Sequence, residues 1–92
     1  YNKILFMNIN ELIAIVKNKL EAKIIIQDLK IEDKSFLHKK HAGYQEGKFH
    51  LKLTIRSDEL NKFNKIVSTK RVYGILSDEL EKHIHSIQIL LN

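Results

Sequence analysis

The chain has 92 residues and a formal net charge of +5, which suffices for one small hydrophobic core but not for two. It contains no cysteine, which excludes disulfide bonds and thiol chemistry of its own and is consistent with a reducing compartment. No apolar run approaches the roughly 20 residues that span a bilayer, so we expect no membrane association. We interpret residues 1–7 as an N-terminal extension or an appended fragment, with Met7 as a candidate start, and residues 8–92 as a single domain.

The first predicted element is a helix from about Ile9 to Leu20. Asn8 and Glu11 have the spacing of a capping box, in which the two side chains satisfy backbone N–H groups at the helix start. Apolar residues then recur at helical spacing and predict one buried stripe. These residues are Ile9, Leu12, Ile13, Val16 and Leu20.

Two strands are predicted next. Residues 23–29 contain three consecutive isoleucines, whose branched side chains favour a pleated, buried surface. Residues 49–56 alternate strictly between apolar and polar side chains, which is typical of a strand with one face on the core and one in solvent. The intervening residues 30–47 show no periodicity, and long loops of this kind are usually functional.

The second half of the chain predicts helices and a last strand. Ser57 can cap a short helix near residues 58–61, and a long helix from about Phe63 to Lys82 should follow. Gly74 lies inside the long helix and indicates close packing there. Residues 86–91 should form the last strand. The predicted fold is α+β, with the order α-β-β-α-α-β and all helices on one face of a three-stranded sheet in which residues 49–56 pair antiparallel with residues 24–29. The shared apolar face of the long helix is predicted to comprise Phe63, Ile66, Val72, Tyr73, Leu76 and Leu80.

Five histidines are the candidate site residues. His85 lies where the last helix passes into the last strand, so it is either a partly buried core residue or a ligand held by packing on one side. His38 and His41 lie in the loop among lysines and read as solvated residues. His50 lies on the polar strand face and is interpreted as structural or surface. His83 lies in the last helical turn, where its cation would complement the helix terminus; a zinc site of His83 and His85 lacks a cysteine or acidic set to complete it.

The ordered motifs resemble those of the BolA family over nearly the whole chain. Residues 35–38 match a Ser-x-x-His loop motif, residues 47–53 match a Gly-x-x-His-Phe-Lys-Val strand, and residues 84–87 match an Ile-His-Ala-Leu signature. Residues 57–58, 72–73 and 78–80 match the family's helical region. The resemblance implies a class II KH-like α+β fold with the element order predicted above.

The resemblance also implies a function, cofactor and partner. BolA proteins pair with monothiol glutaredoxins, and the two proteins hold a bridged two-iron, two-sulfur cluster used in iron–sulfur trafficking or iron-linked regulation. Glutaredoxin and its glutathione supply thiolates, while the implied ligands here are His85 and either His38 or His41. An isolated chain should bind no cluster stably, and it should be a monomer alone and a heterodimer with glutaredoxin. The implied location is a reducing compartment, either the cytoplasm or a mitochondrial or other organellar matrix.

Nucleic-acid binding is the alternative function, because KH-like domains clamp nucleic-acid backbones. This chain lacks the Gly-x-x-Gly loop that such domains use, and it departs from the family pattern at residues 60–62 and 68–70. A basic surface could still make weak, salt-sensitive phosphate contacts. The residues of that surface are Lys62, Lys65, Lys70 and Arg71. We expect no enzymatic activity, because no nucleophile with a base, carboxylate pair or phosphate-binding loop is evident.

Overall fold

The computed structural model describes residues 8–35 and 49–92. The described elements are, in chain order, α1 (Ile9–Lys23), β1 (Asp28–Asp33), β2 (Phe49–Arg56), α2 (Asp58–Asn61), α3 (Lys65–Ile75), α4 (Ser77–Lys82) and β3 (Ile84–Leu91). Residues 1–7, interpreted above as an extension, lie outside the described part of the chain.

The sheet has three strands in the order β1-β2-β3. β1 pairs antiparallel with β2, from Asp28 opposite Arg56 to Asp33 opposite Leu51. β3 runs parallel to β2, so the sheet is mixed. The α+β class and the three-stranded sheet are therefore confirmed, and the predicted strand at residues 49–56 is confirmed with its bounds.

The core lies between one face of the sheet and the helices. Alternate residues of β2 point into it, as the sequence pattern predicts. The helical part of the core comes from α1 side chains spaced one turn apart and from residues of α2, α3 and the α3–α4 junction. The helices therefore cover this one face of the sheet. The main buried residues are Leu51, Leu53 and Ile55 from the sheet and Leu12, Val16, Leu20, Leu60, Val72 and Leu76 from the helices.

The predicted first strand is placed too early. α1 continues to Lys23, and Ile24 caps its end by donating its N–H to the carbonyl of Leu20. Ile25 is 70% exposed. Its N–H donates a hydrogen bond to the Glu59 carboxylate and its carbonyl accepts one from the Ser57 hydroxyl, so neither group pairs with a neighbouring strand. These partners lie more than thirty residues away in the sequence. The local strand preference of the isoleucines therefore could not reveal them.

The predicted long helix is two helices. α3 begins at Lys65, after Asn64 caps it by accepting a hydrogen bond from the N–H of Val67 at 2.9 Å. The helix ends at Ile75, and its C-cap Leu76, with a φ of −98° and a ψ of 16°, leads the chain into α4. The order is thus α-β-β-α-α-α-β in the described residues.

The predicted apolar face of this segment is only partly correct. Val72 and Leu76 are fully buried, whereas Phe63, Ile66 and Tyr73 are exposed. Gly74 is not closely packed, because a Cβ atom built on it would meet nothing within 4 Å.

Two ion pairs join the helices to their surroundings. Lys19 of α1 contacts both carboxylate oxygens of Glu79 in α4, at 2.8 and 3.0 Å. This hydrogen bond raises the pKa of Lys19 above its usual range. Arg71 of α3 contacts Glu59 of α2 at 2.6 Å and also donates to the carbonyl of Lys23. The α1, α2 and α3 helices therefore meet at a polar junction beside the core.

Candidate functional site

The candidate site lies at the start of β3, where the pairing with β2 is irregular. Phe49 is opposite Ile84, but the next residue, His50, is opposite Ser86. His85 is therefore the extra residue of a β-bulge, a feature that re-aims side chains and often lies beside functional sites. The strand begins at Ile84, two residues earlier than predicted, so His85 is held within the strand and not ahead of it.

The bulge brings His85 against His50 of the neighbouring strand. The ring centroids are 5.0 Å apart with the ring planes tilted by 50°. His50 is buried, with 5% of its surface exposed, and a hydrogen bond of 2.6 Å joins its Nδ1 to Ser86 Oγ. His85 itself is exposed. One imidazole thus supports the other, and the outer one is presented to solvent.

His50 is the site residue that sequence reasoning missed. The alternation in β2 places it on the polar face, a position that indicates a structural or surface residue. It does not lie at the surface, and its contact with His85 depends on strand pairing and the bulge, which have no local signal. His83 is the C-cap of α4 and is half-buried.

The backbone on either side of residues 36–48 is fastened to this same site. Lys34 donates its N–H to the carbonyl of His50 at 2.7 Å, and the N–H of His50 donates to Ser35 Oγ at 3.1 Å. On the other side, Phe49 donates its N–H to the carbonyl of His83 at 2.9 Å. The described residues on both sides of this segment therefore lie next to the bulge that holds His85.

A cleft of about 480 Å³ adjoins His50 on the polar face of the sheet. Lys34 and Lys52 line it together with Ser86 and Gln88. Glu32 lies opposite Lys52 in the strand register and forms an ion pair of 2.9 Å with Lys34. The hydrogen bond from Lys34, reinforced by the neighbouring lysines, lowers the pKa of Glu32 below its ordinary value. The surface beside the bulge is therefore lined by cations, one of them paired with a carboxylate.

The predicted metal ligands are only partly placed. His85 is exposed at the bulge, whereas His38 and His41 lie outside the described residues. Within residues 8–35 and 49–92, no group of three His, Asp or Glu side chains could hold a metal ion. The bulge thus offers one exposed imidazole with a second buried behind it, and the described part of the chain has no complete metal site of its own.

The predicted basic surface lies elsewhere on the molecule. Lys62, Lys65 and Lys70 are exposed, but Arg71 is held by Glu59 and the carbonyl of Lys23. The Asn61 side chain donates to the carbonyl of Asn92, one residue beyond β3. The start of the basic segment is thus at the opposite end of β3 from His85.

These features define a small α+β domain whose mixed three-stranded sheet is covered by helices on one face and carries an exposed histidine at the start of its last strand. Residues 20–92 match the family described as BolA: BolA-like protein, and the chain belongs to that family.

Relatives support the assignment. The chain is 29% identical over 80 residues to "SufE-like protein 1, chloroplastic/mitochondrial" of Arabidopsis thaliana, covering 82% of this chain and 22% of that protein. It is 29% identical over 77 residues to the "DNA-binding transcriptional regulator BolA" of Haemophilus influenzae, covering 84% of this chain and 72% of that protein. The solved BolA domain of SufE1 from Arabidopsis thaliana superposes with a TM-score of 0.75 at 26% identity, covering 94% of this chain and 93% of that one.

The chain thus spans only about a fifth of the length of SufE-like protein 1, but nearly all of the solved BolA domain from that plant protein. Among the described helices, none combines the length and the apolar character needed to cross a membrane.

Proposed function

We propose that this chain is a non-enzymatic partner of a monothiol glutaredoxin, and that the two proteins together hold a bridged two-iron, two-sulfur cluster with His85 as an iron ligand. The observation that carries the proposal is the exposed imidazole of His85 on a β-bulge, supported from behind by His50. A neutral imidazole nitrogen is an established ligand of iron–sulfur clusters. Family membership supplies the expectation of glutaredoxin as the partner.

The histidine ligands available at the bulge fit a cluster shared between two proteins better than a cluster bound by this chain alone. A cluster of this type needs four ligands, and the described residues present a single exposed histidine at the bulge. The remaining ligands would come from the loop, from glutaredoxin and from glutathione. The chain alone would therefore be a monomer that binds no cluster stably, and the complex would be a heterodimer.

Chain geometry supports a second ligand from the loop. Ser35 is hydrogen-bonded to His50 beside the bulge, and His38 follows it by three residues. Three residues span at most about 10 Å when extended, so the chain length keeps His38 within that distance of Ser35. His41 follows Ser35 by six residues and has a longer tether, of about 20 Å at most. Both histidines remain candidates, and the shorter tether favours His38.

The shared cluster could be transferred to other proteins or could serve as a sensor of iron supply. The chain's own part would be to hold His85 in place and to line the neighbouring surface with Lys34 and Lys52, whose positive charge suits thiolate-bound iron. This role requires a reducing compartment, in the cytoplasm or in an organellar matrix. The name of the Arabidopsis relative, which places that protein in chloroplasts or mitochondria, supports an organelle as one such location.

The test is cluster reconstitution with a purified monothiol glutaredoxin and glutathione, followed by visible absorption and circular dichroism spectra. We expect the complex to show a spectrum distinct from that of the glutaredoxin homodimer. His85→Ala should abolish this spectrum, while His83→Asn, a matched change two residues away, should preserve it. If His85→Ala leaves the spectrum unchanged, His85 is not a ligand and the proposal fails.

The loop ligand is tested with separate and combined alanine variants of His38 and His41. We expect His38→Ala to weaken the spectrum, with His41 substituting in part, and the double variant to weaken it further. If the double variant retains the full spectrum, the second ligand does not come from these histidines.

Nucleic-acid binding is the second candidate function, favoured by the name of the Haemophilus relative and by the exposure of Lys62, Lys65 and Lys70. Arg71 adds little, because it is engaged by Glu59. About three phosphate contacts give a slope near −2.7 for the logarithm of the binding constant against that of the salt concentration. We expect weak, sequence-independent binding with a slope no steeper than this, measured by fluorescence anisotropy with DNA duplexes. Tight binding to one sequence that survives moderate salt would favour the regulator function over the cluster function.

A further inference from the structure

The helix α3 carries an apolar face that points away from the protein's own core. Its inward side is marked by Ser68 and Val72, which are buried. At 100° per residue, Ile66, Lys70 and Tyr73 fall on the opposite side of the helix. We name these three residues the α3 outward face. Ile66 is 70% exposed and Tyr73 39% exposed. Val67, also on α3, is 46% exposed, and Phe63, just before the helix, is 51% exposed.

This face contributes little to folding. Ile66 buries little surface, so little hydrophobic stabilisation comes from it. A branched residue also has a lower helix propensity than lysine or alanine. Single exposed apolar residues are ordinary on protein surfaces, but a grouped set on one helix indicates an interaction site.

The segment that carries this face contains basic residues but no acidic ones. Residues 60–77 contain no aspartate or glutamate and four basic residues, of which all but Arg71 are exposed lysines. Arg71 is paired with Glu59. Lys70 lies on the α3 outward face between Ile66 and Tyr73, and the exposed Lys62 and Lys65 lie just before it and at the helix start. A complementary surface must therefore carry carboxylates around an apolar contact.

Asn61, five residues before the α3 outward face, lies far from the cluster site. β3 runs from Ile84 to Leu91, with His85 at its start and Asn92, bonded by Asn61, just past its end. At about 3.3 Å per residue, seven residues of strand separate these points by roughly 23 Å. A partner bound to the start of α3 would leave His85 accessible.

We propose that the α3 outward face docks an acidic amphipathic segment of another protein, in an interaction independent of the cluster site. A second copy of this chain is disfavoured, because a two-fold contact would bring the same lysines together. Nucleic acid is disfavoured, because Ile66, the most exposed apolar residue of the face, is aliphatic and cannot stack on bases as an aromatic platform does. An amphipathic helix with carboxylates beside its apolar stripe matches both features of the face.

The experiment titrates the isotope-labelled chain with a synthetic helical peptide that carries leucines on one face and glutamates on the other. Binding is followed through backbone amide resonances. We expect the largest shifts at Ile66, Lys70 and Tyr73. A peptide of the same composition in scrambled order should bind at least about ten times more weakly. Absence of binding, equal binding of the scrambled peptide, or shifts that map elsewhere would overturn the proposal.

Matched isoleucine variants distinguish specific binding at the α3 outward face from nonspecific hydrophobic binding. Ile66 and Ile25 are both 70% exposed, but only Ile66 lies on α3. Ile66→Gln should weaken peptide binding by about ten-fold or more, while Ile25→Gln and His85→Ala should leave it unchanged. All three variants should keep the amide spectrum of the folded chain. Equal weakening by Ile25→Gln or His85→Ala would overturn the placement.

Two further arms test the stated chemistry. Lys70→Glu should weaken peptide binding, and the difference from the unchanged chain should shrink as salt rises, because the contact is between charges. A DNA duplex should bind more weakly than the peptide. Tighter duplex binding through the same three residues would assign the face to nucleic acid and overturn the protein-docking proposal.

Discussion

The imidazoles of His50 and His85 lie on neighbouring strands with their centroids 5.0 Å apart and their planes tilted by 50°, yet one is buried and the other exposed. The arrangement results from the bulge, which places His85 and Ser86 together opposite His50. His50 is fixed in turn by its hydrogen bond to Ser86. The exposed imidazole is thus held by strand pairing and by a buried aromatic neighbour, which suits a ligand that must be in position before its partner arrives.

We predict that His50→Ala lowers the free energy of unfolding by about 2 kcal/mol, because it removes a buried ring and its hydrogen bond. It should also weaken the cluster spectrum with glutaredoxin without abolishing it, since His85 remains. Urea unfolding and the reconstituted spectrum measure the two effects. Gln88→Ala, an exposed change on the neighbouring strand β3, should alter stability by no more than about 0.5 kcal/mol. A wild-type spectrum in a folded His50→Ala chain would show that His50 does not position His85.

Ser57 has two structural roles. Its hydroxyl accepts the N–H of Leu60 to cap α2 and donates to the carbonyl of Ile25. We predict that Ser57→Ala costs about 2 kcal/mol of stability, because both hydrogen bonds are lost from a buried site. Ser77→Ala is the matched control, since Ser77 is exposed, and it should change stability by at most about 0.5 kcal/mol. Equal costs for the two variants in urea unfolding would contradict this account.

Several features of the fold follow from local sequence, and those predictions are confirmed. Asn8 and Ser57 cap helices as predicted, because a cap needs only a side chain near the first N–H groups. The strict alternation of β2 predicts both its bounds and its buried face. The other features depend on distant partners. Ser57 and Glu59 form hydrogen bonds with the backbone of Ile25, which therefore does not join a strand. The bulge at His85 results from the pairing of β3 with β2.

A substitution at Gly74 tests whether α3 is free of close packing at this position. The sequence predicted close packing at this position, but a side chain placed there meets open space. We predict that Gly74→Ala raises the free energy of unfolding by about 0.5–1 kcal/mol, because alanine loses less conformational freedom than glycine in a helix. Thermal and urea unfolding should both report the gain. A clear loss of stability would show that the position is packed after all.

Glu59 should contribute to the acid stability of the fold. The N–H of Ile25 and the guanidinium of Arg71 hold the pKa of Glu59 below its ordinary value of 4.5. Because the pKa is lower in the folded chain, the unfolded chain binds more protons in this range, and stability falls as the pH drops through the folded pKa. We predict that Glu59→Gln lowers stability above pH 4.5 and that the two stability curves converge in more acidic solution. Parallel curves in urea unfolding from neutral to acidic pH would contradict the prediction.

The most direct test of the central claim detects the nitrogen of His85 on the iron. This chain would be prepared with ¹⁵N-labelled histidine and combined with unlabelled glutaredoxin, glutathione and the cluster. Pulsed electron paramagnetic resonance of the reduced complex then reports ¹⁵N nuclei bound to the paramagnetic cluster. We predict a strong ¹⁵N coupling in the unchanged complex and its loss or marked reduction in His85→Ala, with His83→Asn unaffected. A reduced complex without ¹⁵N coupling, or one whose coupling persists in full in His85→Ala, would contradict the account.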